Sequence, residues 1–108
     1  MKLGIILQSN KPEHAWNTFR LGLIALKANH QVEIFLINEG SELDTIPDSK
    51  HFGISAKVAE FKKLKGEIRT CGICLKIRGK EESKACSVST MSDLLKMVEK
   101  SDKVLVFG

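Results

Sequence analysis

Apolar positions along the chain fall into two alternating patterns. Lys2 to Gln8 is almost continuously apolar, as expected of a strand buried on both faces in a parallel sheet. Asn10 is placed to cap a following helix, with Pro12 in its first turn and Glu13 three residues past the cap. The periodicity predicts that this helix runs to about Ala28. It carries two apolar stripes, one of Trp16, Phe19, Leu23 and Leu26, the other of Leu21, Ile24 and Ala28. Packing on one sheet needs a single stripe, so the second predicts either deeper burial or a subunit contact. Asn29 suits the left-handed position that ends a helix.

Gln31 to Ile37 predicts a second buried strand, followed by a turn at Asn38 to Ser41 and a long polar loop over residues 41–53. Ile54 to Lys65 predicts a helix with Val58, Phe61 and Leu64 facing inward, stopped by Gly66. Glu67 to Thr70 predicts a short third strand running into Cys71. Gly72 to Ile77 predicts one or two helical turns closed by Gly79, with a charged loop from Lys80 to Lys84. Cys86 to Val88 reads as a very short fourth strand. Ser89 or Thr90 caps a last helix, Met91 to Lys100, which carries Met91, Leu94, Leu95 and Val98. Lys103 to Phe107 is a solidly apolar fifth strand. Buried strands alternating with helices predict one three-layer α/β/α domain over residues 1–108, built on a mainly parallel five-stranded sheet.

Composition narrows the function classes. The apolar fraction is 43% and the charged fraction 28%, as in ordinary globular chains, so disorder is not expected. No run approaches the roughly 20 apolar residues of a membrane span, and no membrane partner is expected. Met1 to Asn10 lacks an h-region and a small-residue cleavage site, which favours a first strand over a signal peptide. Lys+Arg number 17 against 13 Asp+Glu, a mild excess. Its densest cluster, Lys57, Lys62, Lys63 and Lys65, has no interleaved aromatics for base stacking. It reads as a solvated helix face, and no nucleic-acid partner is expected.

The chemistry lies in the cysteines. There are three, an odd number, and Cys71 and Cys74 form a Cys-x-x-Cys. Without a secretion signal this points to the reducing cytoplasm and to reactive or metal-binding thiols, not to a disulfide framework. Cys71 falls at the carboxyl end of the third strand, where open α/β sheets place their chemistry. The helical turn beginning there, and Lys76, Arg78, Lys80 and Lys84 after it, predict a lowered thiol pKa at Cys71, with Glu81 and Glu82 partly opposing. A thiolate there is a nucleophile that could carry a persulfide sulfur, and Cys74 is close enough to share or resolve it. Cys86 reads as structural. Zinc would need four ligands, and Cys71, Cys74 and Cys86 supply three, so no metal and no other cofactor is expected. The thioredoxin pattern is not met, since Pro12 and Pro47 both lie upstream. A P-loop, a flavin-phosphate loop and the acidic set of a receiver domain are also missing. His14, His30 and His51 are scattered, and nothing in the sequence pairs them with Cys71.

Over essentially its whole length the chain resembles the DsrE/DsrF-like family, which includes the TusD-type sulfur-relay subunits. The resemblance rests on the Asn17–Leu21 run, on Asn29–Ile34 and on Asn38–Glu39–Gly40. It is most specific in TCGICLKIRG (Thr70 to Gly79), followed by the Ser-x-Met-x-Asp-Leu helix start and the final KVLVFG strand. It implies that Cys71 corresponds to the cysteine that carries persulfide sulfur in those subunits; Cys74 has no counterpart there. It also implies a homo-oligomer, a trimer or hexamer, working with sulfur donor and acceptor proteins. The expected function is therefore sulfur carriage on Cys71 with Cys74 as helper. The alternatives are an oligomeric protein binding a small ligand or metal without catalysis, and a Cys-x-x-Cys redox protein.

Overall fold

The computed structural model describes all 108 residues. Its strands are Lys2–Leu7 (β1), Gln31–Leu36 (β2), Glu67–Cys71 (β3), Ser87–Ser89 (β4) and Lys103–Phe107 (β5). The α-helices are Pro12–Lys27 (α1), Ile54–Lys63 (α2), Gly72–Ile77 (α3) and Met91–Lys100 (α4), with a 3-10 segment over Asn38–Thr45. The strands form one sheet in the order β4-β3-β2-β1-β5, and every pairing is parallel. The chain steps outward from β1 to β4 and then returns to the far side of β1. With right-handed crossovers, that reversal puts α4 on the sheet face opposite α1 and α2. The result is the three-layer α/β/α arrangement that the alternation of patterns predicts.

The larger core lies under α1 and α2. Leu3, Ile5 and Leu7 of β1 point into it, with Ile34, Phe19 and Phe61 fully buried beside them. Phe19 and Phe61 meet edge to face at 5.5 Å between ring centroids, which ties α1 to α2. Residues of opposite parity face α4. Phe35, Cys71 and Met97 form this smaller core, flanked by Ile6, Ile37, Cys74 and Leu94.

Several local expectations are corrected. Asn10 does not cap α1. Pro12 occupies the first helical position, where its missing N–H costs nothing, so the cap position falls on Lys11. The Ser9 hydroxyl accepts the Lys11 N–H at 3.0 Å instead, and the Asn10 amide reaches Glu42. Residues 41–53 are not loop throughout, because the 3-10 segment extends to Thr45 with Leu43 buried beneath it. The left-handed residue ending α2 is Lys65 (φ 69°), and Leu64 is exposed. Gly66 is needed for another reason, since a Cβ there would lie 2.3 Å from the Phe61 ring. The fourth strand begins at Ser87, leaving Cys86 in the preceding loop. Met91, Leu95 and Val98 are exposed on α4, and Met97 makes its buried contact. In the second stripe of α1, Ile24 is 65% exposed, so deeper burial within the chain is not its explanation. Asn29 (φ 69°) and Gly79 (φ 70°) take the left-handed positions after α1 and α3. Thr90 caps α4 in a reciprocal capping box with Asp93. No helix is long and apolar enough to cross a membrane.

Candidate functional site

The carboxyl ends of β1, β2 and β3 gather the polar side chains that sequence separates. Strand alternation sends Ile68 and Thr70 toward α1, α2 and the 3-10 segment, and Arg69 and Cys71 toward α4. Cys71 is the last residue of β3 and also the cap of α3, its sulfur accepting the Cys74 N–H at 3.5 Å. It is only 5% exposed, packed with Phe35 and Met97. Cys74, one turn later, is half-buried between the exposed side chains of Ile73 and Ile77. Both thiols are free.

The 3-10 segment closes over Cys74. Asn38 leaves β2 in the left-handed region (φ 54°), which asparagine tolerates better than most residues, and its N–H donates to Cys74 Sγ at 3.4 Å. Its side-chain amide donates to Gln8 at the end of β1 at 3.3 Å. Three residues on, the buried Ser41 hydroxyl accepts the Thr70 hydroxyl at 3.2 Å. Glu42 receives Arg78 Nε at 2.7 Å and the Asn10 amide at 3.3 Å. Arg78 and then Asn10 hold its carboxyl below the usual carboxylate range. Arg78 also donates to the Cys74 carbonyl at 3.1 Å, so one guanidinium joins α3 to the 3-10 segment.

These surroundings reverse the expected electrostatics of the two thiols. Burial, and next the hydrogen bond with Cys74, push the Cys71 thiol up. Burial also acts upward on Cys74, but the Cys71 thiol, the Asn38 N–H, the Ser41 hydroxyl and the Arg78 charge together outweigh it and bring that thiol down. The basic residues after Cys71 do not lower its pKa as expected, because its side chain turns away from them into the α4 core. Cys86 is partly buried; burial pushes its thiol up, although Ser83 lies 3.3 Å away.

The structure brings Cys71 and Cys74 together, and it adds Asn38, Ser41, Glu42 and Arg78. Sequence reading missed the first three because they sit in a polar stretch far from the cysteines. The available signals were an asparagine directly after a buried strand and Leu43 as the apolar anchor of that stretch. The histidines stay apart from the thiols: His14 Nδ1 bonds Ser9 at 2.8 Å, His30 bonds the N-terminus, and His51 lies beside Phe52. No three His, Cys, Asp or Glu side chains converge in metal-ligating geometry. A cleft of about 510 Å³ lies at the opposite, amino ends of the strands among Gln31, Glu33, Glu67, Arg69 and Lys96, and the cysteines do not line it.

Comparison with known proteins agrees with this geometry at the level of family and fold. The profile of the DsrE/DsrF-like family matches residues 1–107. An uncharacterized protein of Methanopyrus kandleri is 30% identical over 105 residues, covering 88% of this chain and 83% of its own. One of Methanocaldococcus jannaschii is 31% identical over 103 residues, covering 88% of each. Among solved structures, the ychN protein of E. coli superposes with a TM-score of 0.82 at 20% identity, covering 99% of this chain and 100% of that one. A protein of unknown function from Methanobacterium thermoautotrophicum gives 0.72 at 12% identity, over 96% and 97% of the two chains. Both structures share the three-layer fold.

Proposed function

From the premise that the chain belongs to the DsrE/DsrF-like family, we propose that it is a sulfur carrier, accepting sulfane sulfur as a persulfide on the Cys71–Cys74 pair and passing it to an acceptor. The observation that carries this reading is the thiol pair at a strand end. Cys74 is partly exposed and its sulfur receives the Asn38 N–H, which favours its anion, while Cys71 is buried beside it. A thiolate so held attacks the outer sulfur of a donor persulfide; the donor S–S bond breaks and the donor leaves as a thiolate. Nothing is oxidised or reduced overall, so the transfer needs no cofactor.

The carrier reading calls for a donor and an acceptor protein, which would deliver sulfur to and collect it from the partly exposed Cys74. The exposed Ile73 and Ile77 beside Cys74 suit such a visiting surface. Assembly into a homotrimer or homohexamer in the cytoplasm completes the proposal. Ile24 on α1 and Leu105 and Val106 on the edge strand β5, all exposed in the single chain, supply apolar surface for it. Cold cyanolysis tests the function. Protein treated with polysulfide and desalted should release about one equivalent of thiocyanate per chain. The double variant Cys71→Ser/Cys74→Ser should release none. Equal release from both would show that the pair does not hold the sulfur.

A further inference from the structure

The two cysteines are not equivalent, and their surroundings assign them different parts. Cys71 is 5% exposed, in a core cluster with Phe35 and with Met97 of α4. Cys74 is only partly buried and its sulfur takes a backbone N–H donor. The Asn38 N–H reaches its sulfur at 3.4 Å from a backbone turned into the left-handed region at that residue.

We propose that Cys74, not Cys71, takes the incoming sulfur, that the Asn38 N–H holds its sulfur atom as an anion, and that Cys71 is the buried partner thiol beside it. This rests on the sulfur-carrier reading and departs from the role that family resemblance gives Cys71. In the loading step the Cys74 thiolate bonds to the outer sulfur of a donor persulfide. The donor S–S bond breaks, and the donor departs as its thiolate. Cys71 keeps its proton throughout.

Two measurements test the assignment. Iodoacetamide pulses across pH 6 to 10, read by fragmenting the Thr70–Lys76 peptide, give each thiol its own profile in the unaltered protein. Cys74 should label first, with its midpoint below the ordinary thiol value of about 8.5, and Cys71 should lag with a midpoint above it. Loading from a cysteine desulfurase and cysteine should vanish in Cys74→Ser and persist, more slowly, in Cys71→Ser. Loading that survives in Cys74→Ser and vanishes in Cys71→Ser would overturn the assignment and leave the carrier reading standing. Failure of the unaltered protein to load, with Cys74 still labelling first, would overturn the carrier reading itself. Earlier labelling of Cys71 would overturn the assignment without any variant.

Discussion

Gly40 is the point at which the fold sets the chemistry, and Gly40→Ala should damage both. The 3-10 segment crosses the end of β1 so closely that a Cβ on Gly40 would lie 2.0 Å from the Leu7 carbonyl oxygen and 2.8 Å from its carbon. Both neighbours are backbone, so no side chain can rotate away. Ordinary contact requires the segment to lift by more than an ångström. That movement breaks the 3.0 Å bond from the Ile37 N–H to the same Leu7 carbonyl, at a residue that is fully buried. Leaving a buried carbonyl unpaired costs about 1–3 kcal/mol, and forced overpacking costs about 1–3 kcal/mol more. The stiffer unfolded chain returns about 0.4–1 kcal/mol. The net expectation is a destabilisation of about 1–5 kcal/mol. With a urea m-value of about 1.5 kcal/mol/M, the unfolding midpoint should fall by roughly 0.7–3.3 M with m unchanged. Asn38 moves with the segment, so Cys74 should also lose its N–H donor and label more slowly at pH 7. Urea unfolding followed by circular dichroism reads the first effect, and a timed alkylation reads the second. A variant within about 0.5 kcal/mol of the parent and with unchanged Cys74 labelling would refute the close approach.

Three further outcomes follow from other parts of the structure. Ile24→Glu, at an exposed α1 position, should leave the circular dichroism unchanged and reduce the mass seen by light scattering from three or six chains toward one; a parent protein that is already monomeric at micromolar concentration would remove the assembly from the account. Glu42→Gln breaks the bridge to Arg78, so amide exchange should quicken in 38–45 and 72–79 together, whereas exchange unaltered in both segments would show that this ion pair does not clamp them. The backbone N–H and hydroxyl of Thr90 hold the Asp93 carboxyl below its ordinary value. Its contribution is therefore complete above the unfolded value of about 3.9 and lost as pH falls through the lower folded one, so the stability gap between the parent and Asp93→Asn should be constant above about pH 5 and shrink on acidification; a gap that widens in acid would contradict the capping box.

The fold was legible because the strands of a parallel sheet are buried on both faces and read as unbroken apolar runs, as at Leu3–Leu7 and Val104–Phe107. Element ends were less legible where a local competitor decided them. Pro12 moved the cap of α1 from Asn10 to Lys11, and Lys65 took the left-handed position that Gly66 was expected to hold, while Gly66 made room for Phe61. The cysteine pair announced itself by its spacing. Its electrostatics did not, because they depend on which sheet face Cys71 points to, set by alternation along β3, and on α4 covering that face, set by the reversal of strand order after β4. Asn38 and Ser41 belong to a short 3-10 segment with a weak apolar pattern. The approach of Asn38 to Cys74 is a tertiary fact, made by Gly40 fitting against Leu7 and by Glu42 pairing with Arg78.

The central claim, that this strand-end pair carries sulfane sulfur, is tested most directly by intact mass after incubation with a cysteine desulfurase and cysteine. The account predicts an added mass of about 32 Da, one sulfur per chain, removed by dithiothreitol and absent from Cys71→Ser/Cys74→Ser. An unchanged mass, under conditions that load a known persulfide acceptor in the same tube, would contradict it.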